Sequence, residues 1–340
     1  MQKAIISAAA LILAVTLILF VGPWDNPRLE DAGDSMALTD DGITYLCENR
    51  DGASYIYGVN GNGNVDFVYK EKNSSGSLSF SMLGYFFAKE IYTLNPEVPI
   101  GIYMGACGGA PISVLSSPEA VAEFPDSLKS RTLALGAYTI PTSGIYNAFL
   151  APLAGHVGIT GMIFYQGESD ADSPNDYSNA LKIMIEDYRV KFGSDLLFLN
   201  VQLTSYGYES GGISLGGAWD NVPQLRYAQA AVKIDDSIAN YEVIPSYDVG
   251  WKAGDADGAH PYYKFELGQR GAQMAASILY GIGTMEDKGF PIPSKISYND
   301  SEIVIEYDYA GGGLTTVGGG SPEGFEIKMD GYWQWAEARI

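Results

Sequence analysis

Histidine is scarce in this chain: His156 and His260 are the only two among 340 residues, so candidates for a general base are few. Cysteine is equally scarce. Cys47 and Cys107 cannot build a metal cluster alone and form at most one disulfide. Basic residues are short too, 20 against 41 acidic, for a formal net charge of −21. Such a balance repels polyphosphates and anionic membrane surfaces, and nucleic acid is not expected as a partner.

What the chain does contain is hydrophobic material, 46% with 12% aromatic, which excludes wholesale disorder. A length of 340 residues suggests one large domain or two. The 24 tyrosines and 41 glycines, with only 18% charged residues, fit a loop-rich extracytoplasmic protein that meets neutral, hydroxyl-rich ligands. Ala4 to Val21 carries no charge, with Lys3 before it and Asp25, Glu30, Asp31 and Asp34 after it. Its length falls between a signal h-region and a membrane span, and the flanking charges orient the chain outward. Residues 1–22 are therefore expected to be a signal peptide or a membrane anchor.

The chain reads most clearly around Ile159–Asp170. An apolar run ends there abruptly at Gln166-Gly167-Glu168, as a buried strand does when it delivers polar groups to a sheet edge. In open α/β sheets that edge is where ligands sit. Around it, strands are expected at Pro99–Met104, Leu196–Leu203 and Val243–Val249. Helices are expected from Ser79 or Ser81 to Asn95, from Asp176 to Gly193, over Pro223–Ile234 and from about Tyr262 to Tyr280. This alternation predicts a parallel sheet with helices on both faces. Upstream, Ser54–Val59 and Val65–Tyr69 flank the Asn60–Asn64 turn residues and predict a hairpin. Beyond Gly283, short strands at Lys295–Tyr298, Glu302–Tyr307 and Gly324–Met329 predict an antiparallel appendage.

Two loops carry candidate chemistry. Gly105–Pro111 follows the strand ending at Met104, and its glycines let backbone turn sharply or approach a ligand. The second is Asp257-Gly258-Ala259-His260-Pro261. A carboxylate three residues before an imidazole can hold one ring nitrogen and leave the other to take a proton from a nucleophile. His156 is read as structural. Asp255-x-Asp257-Gly258 hints at calcium, but the intervening ligand positions are wrong.

Four segments in this order, Gly108-Gly109-Ala110-Pro111-Ile112, Tyr165-Gln166-Gly167-Glu168-Ser169, Asp257–Pro261 and the Ala310–Leu314 to Gly324–Glu326 tail, resemble the sialate O-acetylesterase family of SGNH-type carbohydrate esterases. The resemblance spans about Ser77 to Ile340. It implies an α/β fold, a flavodoxin-like SGNH-hydrolase three-layer sandwich with a parallel sheet, over residues 23–283 (23–72 atypical), and a partial β-rich C-terminal domain over 284–340. It further implies hydrolysis of acetyl esters on sugar hydroxyls by a Ser-His-Asp mechanism without metal or cofactor. By position, His260 would be the general base and Asp257 its orienting partner, while Gly109 (backbone N–H) and Gln166 (side-chain amide) would serve the oxyanion. The family's nucleophile sits in a Gly-Gln-Ser-Asn-Met type segment after a hydrophobic strand. The similar residues here are Gly33-Asp34-Ser35-Met36, which follow no such strand, and Ser35 is the expected nucleophile. The implied partner is an O-acetylated sugar or glycan. The alternative is a non-catalytic, surface glycan-binding protein that keeps the pocket without a complete triad.

Overall fold

The computed structural model describes residues 16–21, 56–59, 65–66, 81–97, 100–135, 138–205, 221–235, 238–250, 264–288, 290–299, 301–330 and 332–340. Its strands are β1 Thr16–Val21, β2 Ile56–Val59, β3 Val65–Asp66, β4 Gly101–Met104, β5 Leu133–Leu135, β6 Tyr138–Ile140, β7 Gly161–Tyr165, β8 Leu197–Val201, β9 Tyr241–Ile244, β10 Ile292–Tyr298, β11 Ile303–Asp308, β12 Glu326–Met329 and β13 Tyr332–Trp335. Its α-helices are α1 Met82–Leu94, α2 Ile112–Leu115, α3 Pro118–Glu123, α4 Asp126–Lys129, α5 Pro174–Phe192, α6 Val222–Ile234, α7 Lys264–Tyr280 and α8 Met285–Lys288.

Local signals fix the ends of the longer helices. The Ser81 hydroxyl caps α1 by accepting from the Gly84 N–H at 3.2 Å. Proline stands in the first turn of α5 and of α6. Gly193 and Gly281, at φ +138° and +66°, end α5 and α7 in a conformation that side chains disfavour.

Seven strands form one sheet in the order β3-β2-β4-β1-β7-β8-β9. β7, β8 and β9 are parallel neighbours. β4 runs the same way, because both β4 and β7 pair antiparallel with the β1 strand between them. The sheet is therefore mixed, and the expectation of a parallel sheet holds only for β4, β7, β8 and β9. The correction comes from the two segments read least well. The expected hairpin forms as β2 and β3, and β2 joins β4 antiparallel. Residues expected to act as a signal or anchor contribute β1, whose unbroken apolar sequence suits a strand with neighbours on both sides. Among the described residues no helix is long and apolar enough to cross a membrane.

Helices cover both faces. The rings of Phe164, Phe198 and Tyr241 line one face, with centroids 5.6 and 6.0 Å apart. The Tyr241 hydroxyl donates to the Gln229 carbonyl of α6 at 2.7 Å, and α6 packs on α5. Ile244 points the other way by strand alternation. There it meets Gly271 of α7, where a Cβ would lie 2.8 Å from Ile244 Cδ1, and α7 packs along α1. The close approach of these two helices needs glycine: a Cβ on Gly268 would stand 2.8 Å from the Phe87 backbone nitrogen. The C-terminal segment forms two hairpins, β10 with β11 and β12 with β13. The expected strand Val243–Val249 is shorter than read, since Tyr247–Val249 is a 3-10 turn.

Candidate active site

Because β4, β7, β8 and β9 share one direction, the loops that follow them emerge at a common carboxyl edge. The loops after β4 and β7 are tied together below that edge by side chains. Gln166 has no exposed surface. Its Nε2 donates to the Ala110 carbonyl at 3.1 Å and to Asp170 Oδ2 at 2.6 Å, while its Oε1 accepts from the Tyr177 hydroxyl of α5 at 2.7 Å. Asp170 Oδ2 also accepts from the Ile112 N–H at 2.8 Å. The Ser169 hydroxyl donates to the Gly109 carbonyl at 2.7 Å. The Gln166 carbonyl accepts from Gln229 Nε2 at 2.9 Å, and Gln229 Oε1 accepts from the Leu203 N–H after β8 at 2.9 Å.

Asp170 is fully buried, and burial lifts its carboxyl to about 6 against the opposing pull of the Ile112 N–H, Arg131 and Gln166. Arg131 supplies the balancing charge. Its Nη1 donates to the Ser169 carbonyl at 2.7 Å and lies 3.3 Å from Asp170 Oδ1. That oxygen receives no well-aligned hydrogen bond, so the contact is electrostatic rather than a directed bond. Glycine is required at 167: φ is +151°, and a Cβ would lie 2.4 Å from Leu225 Cδ2 and 3.1 Å from Leu203 Cδ1.

Gly109 emerges from this knot in a conformation suited to presenting its amide. Its φ is +76°, it is only partly buried, and its carbonyl is held by Ser169. Among the described residues no acceptor takes its N–H. Gln166 is placed differently from the role implied for it. Both protons of its amide are already committed, so in this arrangement it orders the two loops and has no proton left for an oxyanion. Cys107 in the same loop is half-buried, and burial raises its thiol, which keeps it protonated and a poor nucleophile.

Ser35, Asp257 and His260 lie outside the described residues. His156 is exposed in the turn after Leu153. Among the described residues no group of three or more His, Cys, Asp and Glu could hold a metal ion.

The residues that reading the sequence missed are Asp170, Arg131, Tyr177, Gln229 and Lys264. Asp170 was visible as the end of the Gln-Gly-Glu-Ser-Asp run. Nothing in the sequence marked Arg131, which acts across tertiary contacts from an irregular stretch. Lys264, the first residue of α7, places its ammonium 4.6 Å from the centroid of the Tyr165 ring at the end of β7.

A family model described as carbohydrate esterase, sialic acid-specific acetylesterase, matches residues 71–276. That is more than half of the chain, and it includes Gly109, Gln166, Asp257 and His260 but not Ser35. A comparison with curated proteins found no match. The knotted loops at the carboxyl edge thus lie wholly within the matched segment, and the chain belongs to the sialic acid-specific acetylesterase family of carbohydrate esterases.

Proposed function

We propose that the chain hydrolyses acetyl esters on sugar hydroxyls by a serine mechanism in a flavodoxin-like three-layer SGNH fold. The observation that carries this reading is the Gly109 amide. It is turned out by a positive φ, anchored through its carbonyl and without an acceptor among the described residues. A preorganised donor of this kind is worth about 3–4 kcal/mol to a developing oxyanion. In the proposed cycle Ser35 Oγ attacks the acetyl carbonyl while His260 takes its proton, oriented by Asp257. The proton passes to the departing sugar oxygen as the ester bond breaks. Water, deprotonated by His260, then cleaves the acetyl-enzyme, and the serine recovers its proton as acetate leaves. Export of the chain is proposed on the apolar run and its flanking charges.

The test is hydrolysis of acetylated sugars by the purified chain. His260→Ala and Ser35→Ala are each expected to lower kcat/KM by about 10³-fold or more. Full activity in Ser35→Ala beside a dead His260→Ala would move the nucleophile elsewhere and leave the rest of the reading intact. One observation favours a second reading, a glycan-binding protein without turnover: the matched segment starts downstream of Ser35. Sugar binding with no acetate released by the wild type would establish it.

A further inference from the structure

The turn that carries the Gly109 amide is held at its sides and open in its middle. Cys107–Ala110 form a β-turn, closed by the Ala110 N–H donating to the Cys107 carbonyl at 3.3 Å. Gly109, third in the turn, has φ +76°, and Gly108 before it lies outside the left-handed region, which is the combination of a type II turn. The peptide after Gly109 is fixed at both ends. Its carbonyl accepts from the Ser169 hydroxyl at 2.7 Å, and its N–H is the donor that closes the turn. One residue on, the Ala110 carbonyl accepts from Gln166 at 3.1 Å. Among the described residues neither end of the peptide between Gly108 and Gly109 has a partner.

Such a central peptide has two orientations. Turning it over converts type II into type I, takes φ at the third residue from about +80° to about −90°, and puts a carbonyl where the N–H had been. The flanking peptides are the frame for that choice, so the aim of the Gly109 N–H depends on how firmly they are held. Ser169 supplies the hold nearest to Gly109, and it does so from a fixed point. It lies in the 3-10 turn Glu168–Asp170, where Arg131 Nη1 donates to the Ser169 carbonyl at 2.7 Å and the Asp170 N–H donates to the Gly167 carbonyl at 2.9 Å. A supporting hydrogen bond of this kind keeps a donor within the narrow range of directions that a reaction uses.

We propose that Ser169 is a positioning residue for the reaction: by holding the Gly109 carbonyl it fixes the frame from which the Gly109 N–H is aimed at the oxyanion. The oxyanion rests on the esterase reading above. The hold on Gly109 does not.

The experiment is a double-mutant cycle on the whole chain, read by turnover of an acetylated sugar and by amide NMR. Ser169→Ala is expected to lower kcat about 10-fold with KM little changed, and Ser169→Thr, which keeps the hydroxyl, to restore most of the loss. Ser169→Cys, a weaker donor, serves the same comparison if the alanine variant does not fold. Gly109→Ala has room for its Cβ, 3.5 Å from Leu133 Cδ1, but disfavours the positive φ, so it should turn the peptide over and lower kcat about 10²-fold or more. If Ser169 acts through this amide, adding Ser169→Ala to Gly109→Ala costs about 2-fold or less. A further loss of about 10-fold in the double variant, or wild-type kcat in Ser169→Ala, overturns the proposal. In relaxation-dispersion NMR, Ser169→Ala should show exchange at the Gly109 amide and none at Ile112, whose N–H is held by Asp170. An unchanged Gly109 signal also overturns it. If no ester is hydrolysed, the esterase reading fails, while the NMR comparison still decides whether Ser169 holds the amide.

Discussion

Asp170 and Lys264 both carry charge near the end of β7, and the fold treats them in opposite ways. Asp170 is fully buried and surrounded by the Ile112 N–H, the Gln166 amide and the Arg131 guanidinium. Lys264 keeps some exposure and has a tyrosine face for company. Gln166 lies on the α5 face of the sheet with Phe164, whereas Tyr165 and Lys264 lie on the α7 face, because successive residues of a strand point to opposite sides. The charge held through its Oδ2 by two hydrogen bonds joins the loops. The other lies against an aromatic face, with the charge of Glu168 acting on it.

The largest expected effect comes from cutting the tied side. Asp170→Ala leaves the Ile112 N–H and one Gln166 proton without a partner and removes the buried carboxylate beside Arg131, which keeps Asp172 at 2.6 Å. A loss of about 3–5 kcal/mol is expected in denaturant unfolding at pH 7. A loss below about 1 kcal/mol would mean that the loops after β4 and β7 hold together without this carboxylate. Protonation gives a second view of the same group. Burial raises its folded pKa to about 6, above the value of about 4 for an unfolded aspartate. Between those values the native state holds a proton that the unfolded chain has released, so this group's contribution to stability falls as pH rises from about 4 to 6. The stability advantage of wild type over Asp170→Asn should therefore shrink by about 2–3 kcal/mol between pH 4 and pH 7. An advantage that grows over that range would show that the Arg131 field outweighs burial.

These two residues also mark how far the sequence could be read. The strand–helix alternation, the caps at Ser81 and Gly193, and the ligand edge after Tyr165 were legible because they depend on local periodicity and turn chemistry. The mixed sheet was not. Thr16–Val21 has the composition of a membrane or signal segment, and whether such a run enters a bilayer or pairs between β4 and β7 is decided by long-range pairing. The role of Gln166 was legible only as a polar group at the edge. One amide proton goes to Asp170 four positions on, but the other goes to the Ala110 carbonyl 56 positions before it, so no local pattern could show that both were already used. Lys264 went unnoticed because a lysine at a helix start is ordinary, and its place against the Tyr165 ring is a tertiary property.

Gln166 permits a direct separation of two roles. If its amide orders the loops, Gln166→Ala strands the Tyr177 hydroxyl and the Ala110 carbonyl, and stability should fall by about 2–3 kcal/mol. If the amide serves an oxyanion, kcat should instead drop about 10²–10³-fold with the unfolding midpoint nearly unchanged. The hydrogen bonds favour the first outcome. Unfolding midpoint and kcat measured on one preparation decide between them.

The smallest effect has the opposite sign. The folded pKa of Lys264, about 8, lies below the value of about 10.4 for an unfolded lysine. Below pH 8 the native state carries a proton at a cost, and stability from this group rises as pH climbs from about 8 to 10.4. Lys264→Met removes the ammonium but keeps an apolar chain over the Tyr165 ring. It should therefore be more stable than wild type at pH 7, by about 1–2 kcal/mol once partial exposure is discounted, and the gain should fade above pH 10. A variant less stable than wild type would mean that the ammonium contributes to holding α7 against β7.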